Sequence, residues 1–392
     1  MSFERPYEGL RVVDLSQGVA GPYCGLLLAQ NGADVIKVEP RDGDWARHLG
    51  QQYGDHTAFS IPANMGKRSI VIDLKHEASR GIVDCMVAEA DVFIEGFRPG
   101  VIDRLGYAYD RLKQVNPRLI YVSISGFGQQ GPMRERPAMD PVLQAFTGFM
   151  AENKGPDGTP HRTPVIVNDM ATGLYAMQAV QSTLYARRDG APGRKIEVSL
   201  MEGSANIQAV RLLDGYREGP FRIAGAPSGT FKTEDGWLQL IVAKDHEFQK
   251  LCKALDWPDL AADPRFQENA GRREHADFLI GKLRELFATG PTSKWQAILN
   301  AERVQNEAVL SYREFAKHVQ PESVGLISWL RQAGSDEAWP VPNIPGMSPY
   351  VQDDPYATSP TLGQHSTAVL RDVGCGDDEI ARWLADGVVI QG

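Results

Sequence analysis

The chain has 392 residues, 42% hydrophobic and 23% charged, with a formal net charge of −9; this is the composition of ordinary globular proteins and a length beyond what one hydrophobic core organises, so two domains are expected. The acidic balance excludes sequence-independent binding to a phosphate backbone, and no apolar run approaches the roughly 20 residues that cross a bilayer. Residues 1–20 carry no basic stretch leading into an apolar one, which predicts a cytoplasmic protein with neither nucleic acid nor membrane as partner.

From the start to about residue 200, short β-rich runs alternate with helical stretches. Strands are predicted at 10–15, 35–39, 69–74, 92–95, 119–124 and 195–200, mostly apolar, as strands buried on both faces are. Helices at 22–30, 77–87 and 109–115 have lengths suited to crossovers between them. The pattern predicts an α/β fold whose large domain is doubly wound and Rossmann-like, with a largely parallel sheet. The turn after the first strand, Gln17-Gly18-Val19-Ala20-Gly21-Pro22, lacks the G-x-G-x-x-G fingerprint, which argues against NAD or FAD.

Further along, the apolar run 164–167 leads into a helix whose Met170, Leu174, Met177 and Leu184 fall on one stripe. Near residue 215, Gly215, Gly219, Pro220, Gly225, Pro227 and Gly229 read as a linker. A smaller inserted α+β domain is predicted over 215–335, opening with a hairpin at 228–232 and 237–242 around Asp235-Gly236 and continuing with helices at 247–255, 275–287 and 292–299. Pro340, Pro342, Pro345 and Pro349 mark a return crossing, so that 336–392 completes the large domain begun by 1–214.

Candidate chemistry is sparse. Asp169 sits where a helix begins, so it reads as a cap for orphan N–H groups; the same placement would hold an ionised carboxylate aimed into a cleft, as a nucleophile requires. Arg41, Arg47, Lys67, Arg68, Lys75, Arg98 and Arg104 lie at strand ends and loops, as solvated surface charges or as a set suited to a phosphate-bearing ligand. The eight histidines show no ligand spacing, so no metal is expected. Cys24, Cys85, Cys252 and Cys375 are scattered and read as free thiols. No G-x-S-x-G elbow suggests serine hydrolysis.

An ordered series of blocks then carries a resemblance. Val19-Ala20-Gly21-Pro22, Gly32-Ala33-Asp34-Val35-Ile36-Lys37-Val38-Glu39, Gly66-Lys67-Arg68, Asp73-Leu74-Lys75, Phe97-Arg98-Pro99-Gly100, Arg104-Leu105-Gly106 and Ser125-Gly126-Phe127-Gly128 resemble the CaiB/BaiF, or class III, CoA-transferases. The likeness continues through Asp169, Ala262-Asp263-Pro264-Arg265-Phe266 and Leu362-Gly363-Gln364-His365. It implies transfer of CoA from an acyl-CoA to a carboxylic acid, with the CoA thioester as substrate and no tightly bound cofactor. It further implies Asp169 as the nucleophile that forms aspartyl anhydride and aspartyl-CoA thioester intermediates, with Asp140 as an orienting acidic neighbour.

The CoA contacts implied are Val19 and Ala20 beside the thiol arm, Ile72, Asp73, Leu74, Lys75, Gly96, Phe97 and Arg98 along the nucleotide, Arg104 on phosphate and Arg41 on the ribose phosphate. The family fold is an interlocked homodimer whose active sites lie between the large domain of one subunit and the small domain of the other. Two alternatives stand beside this reading: a 2-methylacyl-CoA racemase on the same fold, and a CoA-binding protein without catalysis. The racemase branch resembles Gly-His-Asp where this chain has Ala138-Met139-Asp140, and Met139 is neither acid nor base. The segment Gly225-Ala226-Pro227-Ser228-Gly229 departs from the glycine-rich loop of the oxalate branch.

Overall fold

The computed structural model describes residues 5–155, 157–218 and 225–392. The chain forms two compact units, Met1–Tyr216 with Ser323–Gly392, and Arg217–Glu322.

In the first unit, β1 (Arg11–Asp14), β2 (Asp34–Glu39), β3 (Arg68–Ile72), β4 (Val92–Glu95), β5 (Ile120–Ser125) and β6 (Lys195–Ser199) pair in parallel, and β7 (Val389–Ile390) closes the edge antiparallel to β3. The order is β7-β3-β2-β1-β4-β5-β6. Successive side chains point to opposite faces of a strand, and here both faces are covered. Val13, Ile36, Ile70 and Phe93 join one core cluster, while Val12, Val35, Val92, Ile94 and Ile120 join another. That double burial is why the strands read as continuous apolar runs.

Crossovers run through α1 (Ala20–Gln30), α2 (Ser79–Ala88), α3 (Val101–Leu105), α4 (Tyr109–Val115), α5 (Asp140–Phe146) and α6 (Val167–Arg187), and α7 (Leu200–Ile207) follows β6. The tail adds α8 (Ser366–Asp372) and α9 (Asp377–Ala385), whose Val369, Leu370, Ile380 and Trp383 enter the first cluster before β7 pairs with β3.

Three local expectations change. The helix expected from residue 22 starts two residues earlier, because Pro22 falls in its first turn, where no N–H is needed. The buried stripe of α6 keeps the expected Met177 but is otherwise made of smaller residues, Ala171, Thr172, Gly173, Ala176 and Val180, whereas Leu174 is exposed. The linker reading at Gly215 gives way to a helix, Ala209–Glu218, while Gly219 and Pro220 lie outside the described residues.

In the second unit the hairpin Ser228–Lys232 and Trp237–Ile241 is antiparallel and gains Asn306–Ala308 as a third strand. Helices Asp245–Ala254, Ala276–Phe287 and Thr292–Ala301 cover it around Phe231, Leu238, Phe248, Leu283 and Phe287. At its turn, Asp235 Oδ1 accepts the Thr292 N–H at 2.8 Å, capping the last of these helices.

Candidate active site

Strand order reverses between β1 and β4. In open α/β sheets a crevice forms there, outside the carboxyl ends of the strands. A cavity of about 470 Å³ occupies that place, walled by Leu15, Gln17, Val19, Ala20 and Gly21 after β1, by Gly96, Phe97, Arg98 and Pro99 after β4, and by Ile124, Ser125 and Gly126 around the end of β5. Trp45, Arg134, Arg136, Ala138, Met139, Asp169 and Leu200 complete it.

Helix α6 begins at Val167, which makes Asp169 its third residue instead of its cap. Asp140 does the capping. Its Oδ2 accepts the N–H of Asn168 at 2.7 Å and that of Asp169 at 3.4 Å, and its Oδ1 accepts Gln144 Nε2 at 2.6 Å. With the orphan donors of α6 served by a side chain from α5, the half-buried Asp169 carboxyl is left to face the cavity.

Gly173, one turn along, decides what meets that carboxyl. A Cβ there would lie 2.7 Å from the Ala20 carbonyl oxygen and 2.9 Å from the Tyr23 ring, so only glycine lets α1 and α6 come this close. The approach sets the Ala20 N–H, the first of α1, on the Asp169 carboxyl. Helix α1 has no acidic residue in its first turn and no side-chain cap, which leaves its positive end to Asp169 and the cavity. Burial pushes the Asp169 carboxyl up to about 7, the Asp140 charge adds to the rise, and the Ala20 N–H opposes it. A poorly solvated carboxylate that ionises near neutrality suits nucleophilic attack better than a surface aspartate.

The turn feeding α1 is braced from below by buried ion pairs. Lys37 pairs with Asp44 at 2.9 Å, donates to the Ser16 carbonyl, and is fully buried like its partner. Asp44 Oδ1 accepts the Gly18 N–H at 2.9 Å. Gly18 has φ of +81°, and a Cβ on it would overlap the Trp45 ring at 2.2 Å; glycine here is what lets Trp45 form a cavity wall.

The basic set divides. Lys67 is spent on Asp14 at 2.9 Å, Arg47 on Glu39 at 2.6 Å, and Arg68 on Asp34 at 2.6 Å; these are scaffold ions, with no phosphate-facing role. Arg41, Lys75, Arg98 and Arg104 are exposed, and Arg41 Nη2 donates to the Gly387 carbonyl at 2.5 Å. Of the residues expected to contact CoA, Val19, Ala20, Gly96, Phe97 and Arg98 line the cavity with Asp169. Asp140, Arg41, Ile72, Asp73, Leu74, Lys75 and Arg104 do not line it. Ile72 is a fully buried core residue, and the Asp73 N–H is bound to the Val388 carbonyl at 2.9 Å.

Sequence reasoning missed Trp45, Arg134 and Arg136. The rule that collected basic residues at strand ends stopped at Arg104; applied to the loop after β5, it reaches both arginines. Trp45 carried no such signal, since its place depends on the Gly18 turn. Among the described residues, no helix is long and apolar enough to cross a membrane, and no group of His, Cys, Asp and Glu is arranged to hold a metal ion.

Comparison with known proteins agrees with this geometry. The profile described as CoA-transferase family III matches residues 7–366. An acetyl-CoA:oxalate CoA-transferase of Acetobacter aceti is 38% identical over 82% of this chain and 85% of its own. A succinyl-CoA:glutarate CoA-transferase of Homo sapiens is 31% identical over 99% of this chain and 90% of its own. The crystal structure of a CaiB/BaiF family protein from Brucella suis superposes with a TM-score of 0.83 at 31% identity, covering 94% of this chain and 99% of that one.

Proposed function

The chain belongs to CoA-transferase family III and is a CoA-transferase, and from that premise we propose that Asp169 is the residue that carries the acyl group. The observation that supports this most directly is the division of labour at the start of α6: Asp140 caps the helix, and Asp169 turns to the cavity beneath the end of α1.

A carboxylate oxygen of Asp169 attacks the thioester carbonyl, the C–S bond breaks, and CoA leaves as thiolate, giving a mixed anhydride. The thiolate then attacks the aspartyl carbonyl and expels the donor acid as carboxylate, leaving an aspartyl-CoA thioester. The acceptor carboxylate attacks that thioester and again releases thiolate. Attack of the thiolate on the acceptor's acyl carbon yields the new acyl-CoA and regenerates Asp169. Thioester and anhydride are both activated acyl states, so each step is reversible. The positive end of α1, which has no side-chain cap, supplies stabilisation for the tetrahedral oxyanions.

Arg98, Arg134 and Arg136 all line the cavity and favour an acid with a second carboxylate. The oxalate and glutarate in the relatives' names are of that class. Met139 lines the cavity at 52% exposure and offers no acid or base for α-proton exchange, which disfavours a racemase. We further propose a homodimer, since helix Ala209–Glu218 exposes Val210 by 85% and Tyr216 by 91%, an apolar surface for a second copy to cover.

The test is to incubate enzyme with succinyl-CoA and hydroxylamine and digest it. Asp169 is expected as the hydroxamate, with activity lost in proportion. An Asp169→Ala variant that still transfers CoA at the wild-type rate rejects the assignment.

A further inference from the structure

Glu95 closes β4 immediately before the Gly96–Arg98 turn. It is 1% exposed, and among the described residues no lysine or arginine forms an ion pair with it. Its Oε2 accepts the Phe97 N–H at 2.9 Å, and its Oε1 accepts the Ser123 hydroxyl. The Ser123 oxygen accepts Gln129 Nε2 at 2.7 Å. One carboxyl therefore ties two cavity walls together. On one side it holds the turn that presents Phe97 and Arg98; on the other, through Ser123 and Gln129, it holds the loop that runs on to Arg134, Arg136 and Met139. Only an ionised carboxyl accepts on both sides at once; a glutamine would keep one acceptor and turn an N–H2 donor toward the Ser123 hydroxyl, so the charge adds something beyond bracing.

We propose that Glu95 is a positioning residue for CoA transfer, joining the Gly96–Arg98 turn to the loop of Arg134 and Arg136 so that the acyl-CoA and the acid meet Asp169 in register. Proton loss strengthens the join. Ionised, both oxygens accept; protonated, the acid O–H competes with the Ser123 hydroxyl for the same contact, and the link to Gln129 loosens. Burial raises the Glu95 carboxyl to about 7, Ser123 and the Phe97 N–H oppose this, Lys195 opposes it weakly, and Asp103 adds to it. Tyr121, on the neighbouring strand β5, also feels the Glu95 charge.

The proposal rests on Asp169 as nucleophile, and the experiment separates the two. Two carboxyls that must both ionise make log kcat/KM fall with a slope approaching 2 on the acid side. The Glu95→Gln variant keeps an acceptor for Phe97 but points an N–H2 donor at Ser123, as the protonated acid points its O–H; it is expected to run several-fold below the wild-type plateau with the slope reduced to 1. The Glu95→Ala variant is expected to lose at least 10-fold in kcat/KM, with a Tm at pH 8 equal to or above wild type, because an uncompensated buried charge has gone. An unchanged slope in Glu95→Gln, or a Glu95→Ala variant within twofold of wild type, overturns the proposal. So does a Glu95→Ala variant whose Tm falls along with its rate, which marks a purely structural brace. Asp169→Ala measured in parallel retains activity only if the nucleophile is misassigned.

Discussion

Replacing Asp169 by asparagine should abolish transfer and stabilise the protein, and the second effect depends on pH. The carboxyl is raised from an ordinary 3.8 to about 7. A group with a raised folded pKa keeps its proton in the folded protein after the unfolded chain has lost it, so stability falls as pH rises from about 4 to about 7 and stays low above. A shift of that size sets a ceiling of about 4 kcal/mol, and solvent reaching the half-buried carboxyl lowers the expectation to about 2 kcal/mol. Asparagine keeps an acceptor for the Ala20 N–H and removes the charge facing Asp140. Thermal unfolding of the two proteins should coincide near pH 4 and separate at pH 8, with the variant melting several degrees higher. Equal or lower stability of the variant at pH 8 refutes the argument that burial and the Asp140 charge hold this carboxylate in a costly place.

Gly173→Ala places a methyl 2.7 Å from the Ala20 oxygen; the forced separation of α1 and α6 should lower stability by about 1–3 kcal/mol and kcat by at least 10-fold, read by calorimetry and steady-state assay. Asp140→Ala strips acceptors from the Asn168 and Asp169 N–H groups and Gln144. It should cost about 1–3 kcal/mol, and, with the like charge gone, shift the acid limb of kcat/KM to lower pH. The double variant Arg134→Ala with Arg136→Ala should raise KM for a dicarboxylic acceptor at least 10-fold while leaving that for a monocarboxylic acid within twofold. Equal effects on both acids refute recognition of a second carboxylate.

What could be read in the sequence was what periodicity carries. Strands buried on both faces leave unbroken apolar runs, so β1 to β6 were legible to within two residues at either end, as was the hairpin whose Asp235-Gly236 turn has its own chemistry. The linker at Gly215 misled because glycine and proline density reports permissiveness, and a helix tolerates one glycine at a cost of about 1 kcal/mol. The stripe on α6 was legible only in part: Met177 is buried and Leu184 packs on the core, but Leu174 is exposed, because large apolar residues alone were taken to mark the buried face. Helix α6 in fact packs through Ala171, Gly173 and Ala176, where close approach to α1 matters more than side-chain area. Basic residues were the least legible. Lys67, Arg47 and Arg98 all stand beside strands of the one sheet, and nothing local distinguishes an ion destined for Asp14 or Glu39 from one that faces a ligand.

Asp169 shows why a cap and a nucleophile are hard to tell apart in sequence. Both are carboxylates at a helix start, and the difference lies in which other residue serves the N–H groups. Here a second acidic residue, 29 positions earlier, takes the Asp169 N–H itself and brings a like charge close enough to raise the Asp169 carboxyl. Capping by Asp140 thus does two jobs: it frees the Asp169 side chain from α6, and it opposes the pull of both helix ends toward a weak, permanently ionised base. Without Asp140, Asp169 would lie at the positive ends of α1 and α6 with nothing but burial to keep its pKa up, and a carboxylate held too firmly in its charged form is a poorer attacking group. The pair therefore acts as one unit, and substitutions at the two positions should be non-additive in kcat, because either one alone removes the arrangement on which the other depends.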